Sequence, residues 1–512
     1  MTEFNRNYHE YVPLNRPTMQ KIRSILLSFT CSILFINATS AQLNLSSGSG
    51  ALRNNTTGVR NTALGNDCLS NNSSGSYNTA SGTGSLYNNR SGKSNTSIGY
   101  QSLYRNTSGT ENVAVGANAL NSNSTGNYNS SLGTFALGFN RNGMNNTATG
   151  YHALMSNTSA SANTAFGAYS LQSNTTGENN VALGYYALYN NSIGNSNVAL
   201  GTNSLGNNSS GNYNLASGHH SMMRNTTGSY NIALGANSLH NNLNGNNNIA
   251  LGYSTMYKNV SGLNNSAIGG NSMENNSSGD YNTALGFQTL RDNKTGNDNV
   301  AIGHDALLRN TAGNKNTALG YNAYGRGFAY GNSTAIGANS HVTASNQMRF
   351  GDDKVTSIGG KVSWSKLSDK RFKVDVQENV PGLDFINLLA PVTYYIDNEK
   401  LRDYQGVETC EASDTNWVRE AGFLAQDVEK IAQSLDFEFS GVDKPQSVED
   451  FYGLRYADFT VPLVKAVQEL SQENDLLKAK IKTLEGAQKR LATLEKEMAD
   501  IKALLNTNAT ID

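Results

Sequence analysis

"GTENVAVGANAL", Gly109 to Leu120, is one phrase of a repeat that occupies more than half of the chain. Its inner glycine, Gly116, stands 17 residues after Gly99 and 17 before Gly133, and the same step runs without an insertion from Gly48 to Gly337. Positions are counted from this glycine as +0. Position +4 is Leu or Met as far as Leu307 (Leu69, Leu86, Leu103, Leu120, Met222, Met256), and +10 is commonly a second Gly (Gly58, Gly75, Gly109). Position +13 is Asn in coil after coil (Asn61, Asn78, Asn95, Asn112, Asn129), +15 is mostly Ala, and +16 is mostly Leu, Ile or Val. A fixed period of this size marks a solenoid in which each repeat is one coil.

Two short apolar phrases per coil, separated by Gly and Asn, predict two short strands joined by tight turns. Gly and Asn tolerate the positive φ that such corners need. The alternation in Asn112–Gly116 sends neighbouring side chains to opposite faces, and the recurrent Gly and Asn exclude a helix. The expected fold class is therefore mainly β, a parallel β-solenoid of 17-residue coils over residues 42–337. Coils stacked about 4.8 Å apart give a rod of roughly 80 Å, with ladders of Leu and of Asn along it. The polar, Asn-rich face is the expected adhesive or structural surface. One coil holds about three apolar side chains, so lateral association of several chains is favoured on burial grounds.

"GTENVAVGANAL" and "NNIALGYSTM" (Asn247 to Met256) resemble the head repeats of YadA-type trimeric adhesins. The resemblance implies a left-handed parallel β-roll with three chains side by side. The repeat typical of that family is shorter, so the additional residues are expected to enlarge one turn.

The 512 residues leave room for several domains, and the net charge of -1 gives no electrostatic case for a nucleic-acid partner. Lys21 and Arg23 precede an apolar run from Ile25 to Ile36, and Thr39 and Ala41 are small residues suited to signal-peptidase cleavage. Residues 1–41 therefore read as a signal peptide, with Met19 as an alternative start. The expected location is secreted, extracellular or cell-surface, on a bacterium. The apolar run is short for a membrane span, and no second span follows it. Of the cysteines, Cys31 lies in the signal, while Cys68 and Cys410 fall at non-equivalent positions. No disulfide framework, metal site or cofactor is expected from them.

Composition changes after Gly337. Residues 338–367 read as a neck or linker with short alternating strands. From Ser368, charged and aromatic residues become common, marking a small α+β domain over 368–460. Pro381 is expected to start a helix through Leu389, and "PVTYYI" (Pro391 to Ile396) reads as a strand. "AGFLAQDVEKIAQSL" (Ala421 to Leu435) reads as a strand running into a helix, and "YGLRYADF" (Tyr452 to Phe459) as another strand. A long helix follows, from about Ala457 to Leu505. Val467, Leu470, Leu477, Ile481, Leu484, Leu491, Leu494, Met498, Ile501 and Leu505 form a heptad seam, with Asn474 at a core position. Residues 461–505 thus read as a coiled coil, and 506–512 as a tail.

"SDKRFKVDV" (Ser368 to Val376), "LLAPVTYYI" (Leu388 to Ile396), "AGFLAQDVE" (Ala421 to Glu429) and "YADFTVPLVKAVQEL" (Tyr456 to Leu470) resemble the peptidase S74 domain, the intramolecular chaperone of phage tailspikes and tail fibres. The resemblance implies a homotrimer whose C-terminal domain helps the upstream fibre to fold and then cuts itself off. It implies cleavage between Leu367 and Ser368, with Ser368 as nucleophile, Lys373 as base, and Asp369 and Arg371 as supporting residues. A lysine can take a serine proton where burial favours its neutral form, and Ser–Lys pairs are a known form of the nucleophile–base arrangement. Such an enzyme acts once, on its own chain, with no external substrate.

Other readings compete. Ser368 can simply cap a turn, with Lys373 a solvated residue, leaving a domain that trimerises without cutting. A polysaccharide-degrading tailspike needs two carboxylates about 5 to 10 Å apart. The repeat offers scattered acids: Asp67, Glu111, Glu178, Glu274, Asp280, Asp292, Asp298 and Asp305. For a fibre, the expected partners are two further copies of the chain and a host surface, matrix or glycan receptor.

Overall fold

The computed structural model describes residues 43–325, 329–362, 364–405, 418–448 and 450–508. The segment read as a signal peptide (1–41, with Met19 and Cys31) and Cys410 lie outside the described residues. The chain divides into two units, one ending at Asn265 and the other beginning at Ser266.

The first unit is a parallel β-solenoid. Its strands run from β1 (Leu45–Ser47) to β13 (Ile249–Leu251), each three residues long. Successive strands pair in parallel at the 17-residue step, Thr96 opposite Val113 and Val113 opposite Ser130. Each coil carries one strand, where the two apolar phrases predicted two. The phrase around +4 is a run of turns because its backbone is left-handed: Asn118 has φ 56° and Leu120 φ 49°, values no strand contains. The corners are still bonded coil to coil, as where the Leu103 N–H donates to the Ala119 carbonyl at 2.9 Å.

These corners are not reserved for Gly and Asn. From Leu52 to Leu307 position +4 has φ near 50°, yet it is Leu or Met (Leu103 47°, Leu120 49°, Met222 50°). A left-handed backbone costs an L-residue roughly 1–2 kcal/mol, and burying Leu returns about 1.5–3 kcal/mol. Leu103, Leu120 and Met222 are fully buried, so burial outweighs the backbone cost. Glycine is required at +0: Gly116 has φ 134°, and a Cβ there would lie 2.7 Å from the carbonyl carbon of Gly133. Position +10 is less strict, since Ala160 occupies it in one coil.

From β2 (Thr62–Leu64) onward in this unit the middle strand residue points inward, and its neighbours are less buried: Ala114 is fully buried while Val113 is 42% exposed. The core is Ala at +15, Leu or Met at +4, and two columns of asparagine. The sequence placed the Asn-rich surface outside, but Asn78, Asn95, Asn112 and Asn129 at +13 are buried, as are Asn72, Asn89 and Asn106 at +7. A buried amide is tolerated when all its groups are bonded. Asn95 Nδ2 donates to Asn78 Oδ1 at 3.1 Å and to the Gly109 carbonyl at 2.9 Å, and Asn78 Oδ1 also accepts the Asn95 backbone N–H at 3.0 Å. The +7 column behaves alike: Asn106 donates to Asn89 Oδ1 at 2.7 Å and to the same Gly109 carbonyl at 3.0 Å. Both columns thus converge on the carbonyl of +10. Cys68 fills a buried position, and burial pushes its thiol up to about 11.

The second unit opens with the same solenoid, from β14 (Ser266–Ile268) to β18 (Thr334–Ile336). One more strand, β19 (Met348–Phe350), pairs with β18 inside the stretch read as a neck. Thr334 faces Met348 there, so this last coil spans 14 residues in place of 17.

The small domain that follows is α+β. Helix α1 (Leu383–Leu388) begins two residues after Pro381, and the Glu469 carboxylate accepts the Leu383 N–H at 2.7 Å, an acid at a helix N-terminus. Strands β20 (Val392–Tyr394) and β21 (Glu420–Gly422) pair antiparallel. Helix α2 (Asn398–Gln405) was not foreseen, and α3 (Ala425–Ser434) follows β21 as expected. The segment read as a strand over 452–459 is a short β23 (Gly453–Leu454), paired with β22 (Val442–Asp443), then a 3-10 turn over Tyr456–Phe459. The core gathers Phe385, Val428, Ala432 and Phe459, with Phe423, Phe437 and Phe439 against them. Helix α4 runs 49 residues from Thr460 to Asn508. Pro462 sits in its first turn, where a missing N–H does no harm. Among the described residues no helix is long and apolar enough to cross a membrane.

Candidate functional site

The residues around Ser368 are folded by a 3-10 turn over Lys370–Phe372. Asp369 is its N-cap: its carboxylate accepts the Arg371 backbone N–H at 2.9 Å and the Arg371 guanidinium at 2.6 to 3.1 Å. At the other end the Lys373 N–H closes on the Lys370 carbonyl at 3.2 Å. The turn brings two side chains five residues apart together, and Lys373 Nζ donates to Ser368 Oγ at 2.8 Å. Asp369 and Arg371 therefore shape the turn by bonding to each other. Arg371 beside Asp369 holds that carboxyl below the usual carboxylate range.

The segment before Ser368 is also held. Lys366 Nζ donates to Asp458 Oδ1 at 3.3 Å, and Asp458 Oδ2 accepts from Ser440 at 2.9 Å. Asp458 stands on the 3-10 turn ahead of α4, so the chain on the amino side of Leu367 is tied to the domain. Sequence reasoning missed this pair. Asp458 lay within a quoted block, but nothing links it to a lysine 92 residues away.

The surroundings are apolar and uncovered. Leu367 is 80% exposed, and Phe372, Val374 and Val376 are likewise exposed. Ser368 and Lys373 are themselves exposed in the single chain.

The known family that meets this geometry begins at the same serine. Residues 368–437 match the Peptidase_S74 family model, described as the chaperone of endosialidase. The match takes in the Ser368–Lys373 turn, α1, β20, β21 and α3, and three of the four quoted blocks. The fourth, Tyr456 to Leu470, lies beyond it. No curated protein and no solved structure matches the chain. A Peptidase_S74 chaperone domain behind a β-solenoid fits a protein of the tail-fibre kind.

Three acids of the repeat, Asp67, Asp292 and Asp305, lie beside bases, with Arg53 3.5 Å from Asp67. Asp292 accepts from Arg291 at 2.9 Å and from Asn275 at 3.1 Å, and His304 lies 3.0 Å from Asp305. Among the described residues no group of three His, Cys, Asp or Glu side chains is placed to hold a metal ion.

Proposed function

We propose that this chain is the subunit of a secreted or surface-displayed homotrimeric fibre, whose C-terminal domain drives assembly and then cuts the Leu367–Ser368 bond. The observation that carries the reading is the 2.8 Å hydrogen bond from Lys373 Nζ to Ser368 Oγ, at the first residue of the matched segment. Ser368 Oγ attacks the Leu367 carbonyl carbon while its proton passes to Lys373. The C–N bond breaks, the Ser368 nitrogen leaves as an amine carrying a proton, and an ester joins Leu367 to Oγ. Water then opens the ester, leaving a Leu367 carboxylate and a free Ser368. The domain acts on its own chain once and turns over no other substrate.

A lysine accepts a serine proton where water has been excluded. In one chain the pair faces solvent beside an uncovered apolar segment, so cleavage awaits the arrival of the other copies. The seam of α4 supports the same trimer: Val467 is 64% exposed and Leu484 67%. A single 49-residue helix with its apolar stripe in water lacks the packing that stabilises helices in proteins. The solenoid supports it too, with Phe166, Leu183 and Leu285 standing outward from the strands. A YadA-like side-by-side arrangement covers that face. What the fibre presents to a host surface, matrix or glycan is then the surface left outside the trimer.

A denaturing gel tests the cut. Wild type gives two fragments that meet at Leu367/Ser368, and Ser368→Ala stays whole. Lys373→Met cuts at least tenfold more slowly. If wild type runs full length while sedimenting as a trimer, the domain is an assembly factor only. That second reading has the exposure of Ser368 and Lys373 in its favour.

A further inference from the structure

The connection between β22 and β23 is pressed against the last coil of the solenoid, and both belong to the second unit. Its anchor is Asp450, 6% exposed although charged. Asp450 Oδ1 accepts from the Thr343 hydroxyl at 2.5 Å and from Gln347 Nε2 at 3.1 Å, while Oδ2 accepts the Gln446 N–H at 3.0 Å. In return, Ser447 Oγ donates to the Thr343 carbonyl at 2.9 Å. Val342, Thr343 and Ala344 are buried in the same place, and the Arg349 guanidinium of β19 lies 5.2 Å from the Phe451 ring. A carboxylate this buried is tolerated because donors surround it, and hydrogen bonds to an ionised acceptor are among the stronger ones.

None of these contacts involves the peptide between them. Residues 352–362 and 364–369 hold neither strand nor helix, and Lys354, Lys361, Lys366 and Leu367 in that stretch are exposed. Cutting at Leu367/Ser368 severs this linker and leaves Thr343, Gln347, Asp450 and Ser447 as they were.

We propose that the β22–β23 connection is a docking surface for the terminal coil of this chain's own solenoid, and that through Asp450 the domain stays on the fibre end as a noncovalent cap after the linker is cut. The proposal rests on the cleavage and trimer readings only for what happens in the natural product. In a trimer three such contacts act together, so each need hold only weakly for the whole to persist.

The purified full chain is run on size exclusion in neutral buffer, and the peak is then resolved on a denaturing gel. If the chain is already cut, the two fragments are expected in one peak. If it is whole, the cleavage reading has failed, and brief trypsin at Lys354, Lys361 or Lys366 opens the linker so that docking is tested by itself. Asp450→Ala is expected to move the fragments into separate peaks at micromolar concentration. Thr343→Val with Gln347→Leu, which removes the donors from the fibre side, is expected to do the same if Asp450→Ala fails to fold. Wild-type fragments that elute apart overturn the proposal. So do fragments of a folded Asp450→Ala chain that elute together as in wild type, because the hold would then lie elsewhere.

Discussion

Asn129 makes the residue-scale argument concrete. Its amide donates to Asn112 Oδ1 at 3.1 Å and to the Gly143 carbonyl at 2.9 Å, and its own oxygen accepts from Asn146. Replacing it with Leu leaves two buried acceptors and a backbone N–H short of partners, each costing about 1–3 kcal/mol. Asn129→Leu is expected to lower unfolding free energy by roughly 2–5 kcal/mol in denaturant melts, and Asn129→Asp by more, since it buries a charge. Gly133→Ala should be similarly harmful. Gly133 has φ 140°, and an added Cβ would meet the Gly150 oxygen at 2.4 Å. Gly143→Ala should cost less: its Cβ would also meet a backbone oxygen, that of Ala160 at 2.3 Å, but its φ is not positive, and Ala160 already fills the equivalent place. If Asn129→Leu melts like wild type, the asparagine columns are not what holds the coils in register.

At the scale of elements, the periodicity made the solenoid legible. A fixed step with an unchanged apolar position leaves few ways to stack, and the observed register follows the step. The number of strands was not legible. Left-handed backbone at Leu120 and its equivalents is enforced by the coil, and no single-residue preference announces it. The inward turn of the asparagines was hidden for a similar reason: a polar residue looks like surface until its partner, one coil away, is in place. Around Ser368 the motif carried the pair, because the turn that joins it to Lys373 is local. Asp450 and Asp458 could not be read, since their partners lie 107 and 92 residues away.

Helix α4 and the Asp450 contact belong to this scale as well. Ile481→Glu with Leu484→Glu puts charge into the seam and is expected to give a monomer in sedimentation, and the same protein should remain uncut on a denaturing gel. Burial pushes the Asp450 carboxyl up, but hydrogen bonds from Thr343, Gln446 and Gln347 outweigh it and leave it below the usual carboxylate range. Those donors are uncharged, so the carboxyl is the member of that cluster that titrates. A depressed value means that its contribution is present above the ordinary carboxylate range, about pH 4, and is lost as pH falls through the folded value. Docking should therefore persist from pH 7 to 5 and weaken only in stronger acid, read as the onset of fragment separation on the column.

For the whole molecule, the order of events follows from which parts can stand alone. A parallel ladder rewards nothing until its ends have been brought together, and one coil buries too little to nucleate by itself. The domain around Phe385, Val428 and Phe459 has its own core and can fold first. Pulse-labelling hydrogen exchange during refolding should protect α1 and α3 before the strands β1 to β13. Protection that appears first in those strands would remove the need for a chaperone. Cleavage should trail assembly, so its rate should rise with protein concentration in the dilute range and level off once trimers are complete. A rate independent of dilution would mean that one chain suffices.

Since the described coils within each unit bond to their neighbours by a largely repeated pattern, as Asn95 to Asn78 and Asn112 to Asn95, nothing in the coil chemistry fixes how many there must be. Unequal recombination within the gene would lengthen or shorten the protein in steps of 17 codons, each step adding or removing one strand spacing of ladder, about 4.8 Å. The shortened coil at β19 is the exception, because its 14-residue span is the one that the domain grips. Variation in reach among descendants is therefore expected upstream of Thr334, with the closing segment held constant.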